Sequence, residues 1–244
     1  MGTSRRVRLV GPGRAGRSVA AGLAAAGWEV AGLVGRSDDP TDAAADVDLL
    51  VVATPDGAVA EVAAAVRPVP TTVVAHLAGS LTLDALAPHP RRASVHPLVP
   101  LPDPERGAER LRGAVMAVAG DPLAHEVATA LGGRPVEVPD AQRAAYHAAA
   151  CMAANHLVAL MGQVERVAAP VGLDLEAYLG LAAASLDDVA RLGPAAALTG
   201  PASRGDEATL ARHRAALAPE ERPAYDALAE AAARLAGRRP GPAG

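Results

Sequence analysis

The sequence predicts an α/β protein, with a parallel sheet in its N-terminal part and an all-α C-terminal domain. Three observations carry that expectation. Apolar runs of strand length alternate with segments of helical spacing as far as residue 138, the pattern of a parallel sheet covered on both faces. A glycine-rich turn joins the first strand to the first helix. From Asp140 onward only the helical period remains.

RRVRLV at 5–10 reads as the first strand and runs straight into Gly11. Val19, Leu23 and Ala26 then recur on one side of a helix over 16–27, which Gly27 stops. WEVAGLV at 28–34 is the second strand and DLLVVA at 48–53 the next, with only a helical remnant around TDAAAD between them. Thr54-Pro55-Asp56 ends that strand and is expected to cap a helix over 57–66. TTVVAH at 71–76 is a further strand. Residues 113–119 and 134–138 give two more, with a helix over 122–131 between them. The change of period places a domain boundary at 139/140. Residues 1–139 form the sheet domain. Residues 140–236 form a helical domain, with a long helix to about 169 and shorter ones at 174–191, 205–217 and 220–236. The tail 237–244, GRRPGPAG, lacks apolar residues to bury and is expected to be disordered.

Composition excludes several chemistries. The 244 residues are 50% hydrophobic, yet contain no Phe, one Trp and three Tyr, so Ala, Val and Leu must make the core. All 23 basic residues are Arg, which excludes any Lys base or Schiff base. The net charge is −4 and neither half has a basic excess, against nucleic-acid binding. Cys151 stands alone, against a disulfide or a thiolate zinc cluster and in keeping with a reducing compartment. No His-x-x-x-His or Glu-x-x-His pair suggests a catalytic metal. The first apolar run is too short for a signal peptide, and no apolar stretch of about 18 residues follows, so a soluble, cytoplasmic chain away from membranes is expected.

Gly11-Pro12-Gly13-Arg14-Ala15-Gly16 has the GxGxxG spacing, follows a strand and opens a helix. In that context the first glycine makes a tight turn, the second admits a pyrophosphate, and the third lets helix and strand pack closely. The helix N-terminus adds free N–H groups for phosphate. This is the signature of a Rossmann-type dinucleotide site. An acidic residue at the end of the second strand would select NAD. Here Gly35-Arg36-Ser37 sets a guanidinium and a hydroxyl where a 2′-phosphate would lie, favouring NADP, with Arg14 as a second positive charge. Asp38 and Asp39 weigh against NADP unless they serve to cap the next segment.

Together these features resemble the Rossmann-like oxidoreductases that carry a C-terminal domain of unknown function 2520. Those are related to pyrroline-5-carboxylate reductases, β-hydroxyacid dehydrogenases and deazaflavin-dependent NADP oxidoreductases. The matching stretches are GPGRAGRSVA at 11–20, GRS at 35–37, ATPD at 53–56, SVHPL at 94–98, YHAAACMAANHL at 146–157 and ALTGPASRGD at 197–206. The resemblance implies a nicotinamide cofactor near the long helix, contacts to it from Thr54, Pro55 and Asp56, and a helical domain that dimerises. It also implies a substrate loop after the 71–76 strand. The family tends to read His-x-Ser-Gly there, whereas this chain reads His76-Leu77-Ala78-Gly79-Ser80, with the hydroxyl moved by two positions.

In the related β-hydroxyacid enzymes a Lys and an Asn four residues on face the nicotinamide. The matching pair here is Cys151 and Asn155, so another group must give the proton. His147, Cys151 and Asn155 follow at i, i+4 and i+8 on one side of a regular helix. His147 is then the proton donor, or else a hydrogen-bonded core histidine, and Asn155 holds the substrate heteroatom. Tyr146 is the second candidate donor. His76, Gly79, Ser80 and His96 are candidate substrate contacts at strand ends. His89 and His125 read as surface positions. Arg204 either contacts Asp206, an N-cap, or binds a substrate carboxylate. The expected function is an NADP-dependent oxidoreductase acting on a C=O or C=N group of a small acidic metabolite, ketopantoate being one candidate. The alternatives are hydride exchange with a deazaflavin and a non-catalytic NADP-binding dimeric module.

Overall fold

The computed structural model describes residues 4–237 and divides into two compact units, Met1–Ala154 and Asn155–Gly244. The first is built on a seven-stranded sheet. Its strands are β1 (Arg6–Val10), β2 (Glu29–Val34), β3 (Leu49–Val52), β4 (Val73–His76), β5 (Arg92–Pro97), β6 (Val115–Gly120) and β7 (Arg134–Glu137). Their spatial order is β2-β1-β3-β4-β5-β6-β7. The helices are α1 (Arg14–Ala25), α2 (Val59–Ala65), α3 (Pro104–Leu111) and α4 (Leu123–Ala130), followed by α5 (Arg143–Cys151).

Period-two alternation sends the strand side chains to two separate cores. Val7, Leu9, Leu49 and Val51 pack with Val19 and Leu23 of α1 on one face. Val10, Leu50 and Val52 pack with Val59 and Ala63 of α2 on the other. This double burial is what parallel strands require. The segment around TDAAAD is a run of turns rather than a helix, yet Ala43 and Ala44 still close the second core.

Two expectations are corrected. The sheet is not wholly parallel, because β6 runs antiparallel to β5. The chain leaves and re-enters the sheet at the same end, where the Leu98 N–H donates to the Val115 carbonyl at 2.8 Å, so β6 must run back. The excursion contains α3, a helix that the apolar periodicity does not predict. Its start is nonetheless well encoded: Asp103 caps it by accepting from the Arg106 N–H at 2.9 Å, with Pro104 next.

Strand structure ends at Glu137, close to the expected change of period, but the first unit extends to Ala154. The head of α5 is tied into it: Asp140 accepts from the Leu83 N–H at 3.1 Å, and Arg143 donates to the Ala78 carbonyl at 2.7 Å. The long helix expected over 140–169 is interrupted by a π turn at Met152–His156 before α6 (Leu157–Ala168).

The second unit continues through α7 (Leu175–Leu192), α8 (Pro194–Ala197), α9 (Pro201–Arg204), α10 (Glu207–Ala216) and α11 (Arg222–Leu235). Asp174 and Asp206 cap α7 and α10. The bidentate pair of Arg166 with the carboxylate of Glu221 joins α6 to the start of α11 and holds that carboxyl below its ordinary pKa. The expected tail lies, from residue 238 on, outside the described residues.

Candidate functional site

The glycine loop forms because no larger residue fits its two ends. Gly11 has φ +98°, and a Cβ there would stand 2.7 Å from the Ala53 carbonyl oxygen. A Cβ on Gly16 would overlap the Gly11 oxygen, whereas one on Gly13 would meet nothing within 4 Å. Two glycines therefore close the strand–helix crossing, and the third leaves space above it. The N-cap of α1, Gly13, makes no side-chain cap bond, and the first turn holds no acid. Its amides are left for an anion.

Beside this loop lies a cavity of about 710 Å³ lined by Gly11, Gly13, Arg36, Asp38, Thr54 and Pro55, among others. The space matches the ordinary size of a small-molecule or cofactor site. Arg36 lines it at the end of β2, as the sequence suggests, while Ser37 sits in the exposed turn that follows. Asp38 lines it too, with its carboxylate accepting from the Gly35 N–H at 2.7 Å. Asp39 takes the second of the two readings left open for it and caps the next segment, accepting from the N–H and hydroxyl of Thr41. Thr54-Pro55-Asp56 departs from expectation: no side chain caps the following 3₁₀ turn or α2. The Thr54 hydroxyl is instead buried without a partner among the described residues.

A second cluster stands where β4, β5 and α5 meet, wholly inside the first unit. His76 ends β4 fully buried, neither ring nitrogen has a side-chain partner among the described residues, and burial pushes its pKa down to about 4. His96 sits in β5 and its Nδ1 lies 2.6 Å from the Tyr146 hydroxyl. Burial also takes His96 to about 4, helped by neighbouring His147 and Arg143. The His147 ring meets His96 edge to face at 5.9 Å, and both its nitrogens lie 3.8–3.9 Å from the Cys151 sulfur. Gly79 is wedged between them: a Cβ would come 2.5 Å from His147 Cδ2 and 2.9 Å from His96 Nε2. Ser80 faces elsewhere, 3.3 Å from an Asp56 carboxylate oxygen.

Arg143 is the residue sequence reasoning missed. It is fully buried, and its Nε and Nη1 have no partner among the described residues. An Arg at the head of an Ala-rich helix carries no signal of burial in the sequence, and here it is buried with the loop after β4 supplying the Ala78 carbonyl it donates to. His89 is a correction of the same kind, buried with Nε2 2.9 Å from the Ala63 carbonyl. His125 is half exposed beside Glu137, a surface position as expected. The face expected of His147, Cys151 and Asn155 is met for the first pair only. Asn155 lies in the π turn, where residues four apart no longer stack, and it is exposed. Arg204, exposed at the end of α9, forms no ion pair with Asp206, which caps α10 from the Thr209 N–H at 3.0 Å. Among the described residues no group of three His, Cys, Asp or Glu side chains is placed to hold a metal, and no helix is long and apolar enough to cross a membrane.

Residues 116–232 match the family described as domain of unknown function 2520, the family the motifs resemble. Solved structures share the fold over nearly the whole chain. A Bacteroides fragilis protein assigned as an NADP oxidoreductase aligns with TM-score 0.79 at 19% identity, covering 95% of this chain and 98% of its own. A Thermotoga maritima protein aligns with TM-score 0.72 at 23% identity over 95% and 98%. The pyrroline carboxylate reductase of Plasmodium falciparum, solved with NADP bound, aligns with TM-score 0.59 at 12% identity over 95% and 98%. Curated proteins give no match to the chain.

Proposed function

We propose that this chain is a cytoplasmic NADP-dependent oxidoreductase. It would reduce or form a C=O or C=N group in a small acidic metabolite, with ketopantoate as the first compound to try. The observation that carries the reading is the glycine loop: two closed crossings, one open glycine, uncapped first-turn amides and a cavity beside them. The cofactor would supply or accept the hydride. Gly11–Gly16 would hold its pyrophosphate, Arg36 its 2′-phosphate, and Thr54 and Pro55 its flank. The proton would come from the cluster of His96, Tyr146 and His147, with His76 and Gly79 shaping the substrate's side. Asn155 and Arg204 are the second unit's candidates for substrate heteroatom and carboxylate. That a proton-bearing cluster exists without any Lys favours an enzyme over a binding module.

The helical domain is proposed to dimerise. Support comes from its apolar side chains: Leu181 and Val158 are 67% and 72% exposed, and closed twofold dimers are the commonest soluble assembly.

Thermal denaturation with each nicotinamide cofactor tests the assignment. NADPH at about 100 times Kd adds about 2.7 kcal/mol, a rise in Tm of roughly 5–11 °C for a chain of this size. NADH at equal concentration should raise it much less, and Arg36→Glu should abolish the difference. Equal shifts for the two cofactors, or none, would remove NADP from the reading.

A further inference from the structure

We propose that Tyr146 delivers the proton in this reaction and that His96 positions and reloads it. The inference rests on the oxidoreductase reading and deepens it, naming the donor within the cluster. Tyr146 is half-buried on α5, and its hydroxyl is held 2.6 Å from His96 Nδ1, fifty positions away in β5. A hydroxyl fixed by a strand residue has a defined direction for its proton, which proton transfer in a transition state requires. His147 has no such restraint: among the described residues the hydrogen-bonding partner of its nitrogens is the Cys151 sulfur at 3.8–3.9 Å.

The tautomer decides what the pair can do. When His96 carries its hydrogen on Nδ1, it donates to the phenol oxygen and leaves the Tyr146 O–H free for substrate. Nε2 is then a bare acceptor, with no hydrogen-bond partner among the described residues. In the reductive direction, hydride brings an electron pair to the substrate carbon and the C=O or C=N π pair moves to the heteroatom. That heteroatom takes the Tyr146 proton, and the O–H pair stays behind as phenolate. The His96 Nδ1 proton passes to the phenolate while a solvent proton joins Nε2. One solvent proton is consumed and His96 ends neutral with its hydrogen on Nε2; the Nε2 proton then returns to solvent as Nδ1 takes one up, which restores the starting tautomer before the next turnover.

The surroundings suit each state. Arg143 lies three residues earlier on the same helix, and its buried positive charge opposes the rise that burial imposes on the Tyr146 pKa. The same charge and burial keep His96 uncharged at neutral pH, so it can pass a proton on without trapping it. The titratable groups around the pair are His147 and Arg143 on α5, His76 on β4, and Asp56 and Asp140 in the flanking turns.

Two measurements test the proposal. Nitrogen-15 NMR of the imidazoles, on the full chain without cofactor, should find His96 protonated on Nδ1, and Tyr146→Phe should shift that signal. An Nε2-protonated His96 would overturn the proposal, because Tyr146 would then be donating to His96. The second is NADPH oxidation against a panel of 2-oxo acids, including ketopantoate, and cyclic imines. Tyr146→Phe should lower kcat by about 10²–10⁴ with NADPH affinity unchanged, a larger loss than His147→Gln causes. The reverse ranking overturns the proposal while leaving the oxidoreductase reading intact. A wild type that binds NADPH but reduces nothing on the panel counts against the oxidoreductase reading, and the NMR result still decides the pair.

Discussion

In the sheet unit, Leu9, Leu50, Val52 and Leu111 are fully buried, each on one of two cores. In the helical unit, Val171 is 71% exposed and Leu186 and Leu192 54%, although these helices are as rich in Ala and Leu. Among its described residues only Ala168 and Glu221 are buried. The difference lies in geometry rather than composition. A strand in a covered sheet has a layer on each side of it, so Ala, Val and Leu suffice to close it. A helix of small residues buries one stripe against each neighbour and leaves the rest uncovered unless another body supplies a surface. The sheet unit thus closes two cores of its own, while the helical unit leaves most of its apolar side chains exposed, the surface proposed above for a second copy.

The sharpest way to break this comparison is to truncate one leucine in each unit. Leu50→Ala should cost about 2–5 kcal/mol in urea denaturation, because it leaves a cavity in a closed core. Leu181→Ala should cost under about 1 kcal/mol wherever the chain is dissociated. A comparable loss at both positions, independent of protein concentration, would show that the helical unit closes its own core.

Acidification should act on the sheet unit next. His76 and His96 titrate near 4 in the folded chain against 6.5 for an ordinary histidine. Above pH 6.5 both states are neutral there and neither residue affects stability. As pH falls below 6.5 the unfolded chain takes up protons that the folded chain refuses, so stability is lost progressively down to about 4. Either histidine accounts for about 3 kcal/mol of that loss. Double replacement by Gln should flatten this part of the pH profile, and an unchanged slope would place the acid sensitivity elsewhere.

The smallest effect on stability, though a decisive one for assembly, is expected from Leu181→Glu. It should leave the melting curve of dilute protein nearly unmoved and convert a dimer to the 24.4 kDa single chain in light scattering. Wild-type protein already at 24.4 kDa at micromolar concentration would remove the second copy from the comparison.

What the sequence determined by itself is local. The spacing of Val7, Leu9, Leu49 and Val51 needs only a period of two to become strand. Gly11 and Gly16 announce a tight turn by their spacing, although it is Ala53 that leaves Gly11 no room for a side chain, and Asp174 and Asp206 need only the next helical turn to cap. These signals are written within a few residues, and so the β1–α1 loop, Arg36 at the end of β2 and the boundaries of α7 are legible in the order of the residues alone. The tertiary structure decided the rest. The reversal of β6 follows from where the α3 excursion returns to the sheet. The π turn takes Asn155 out of the regular spacing that tied it to His147. His89 reads as a surface position and Arg143 draws no reading, because polarity is a good guide only until another segment folds over the residue. The hydrogen bond of His96 to Tyr146 joins a strand to a helix fifty positions later. No periodicity encodes such a contact, since it exists only once packing has brought the two elements together.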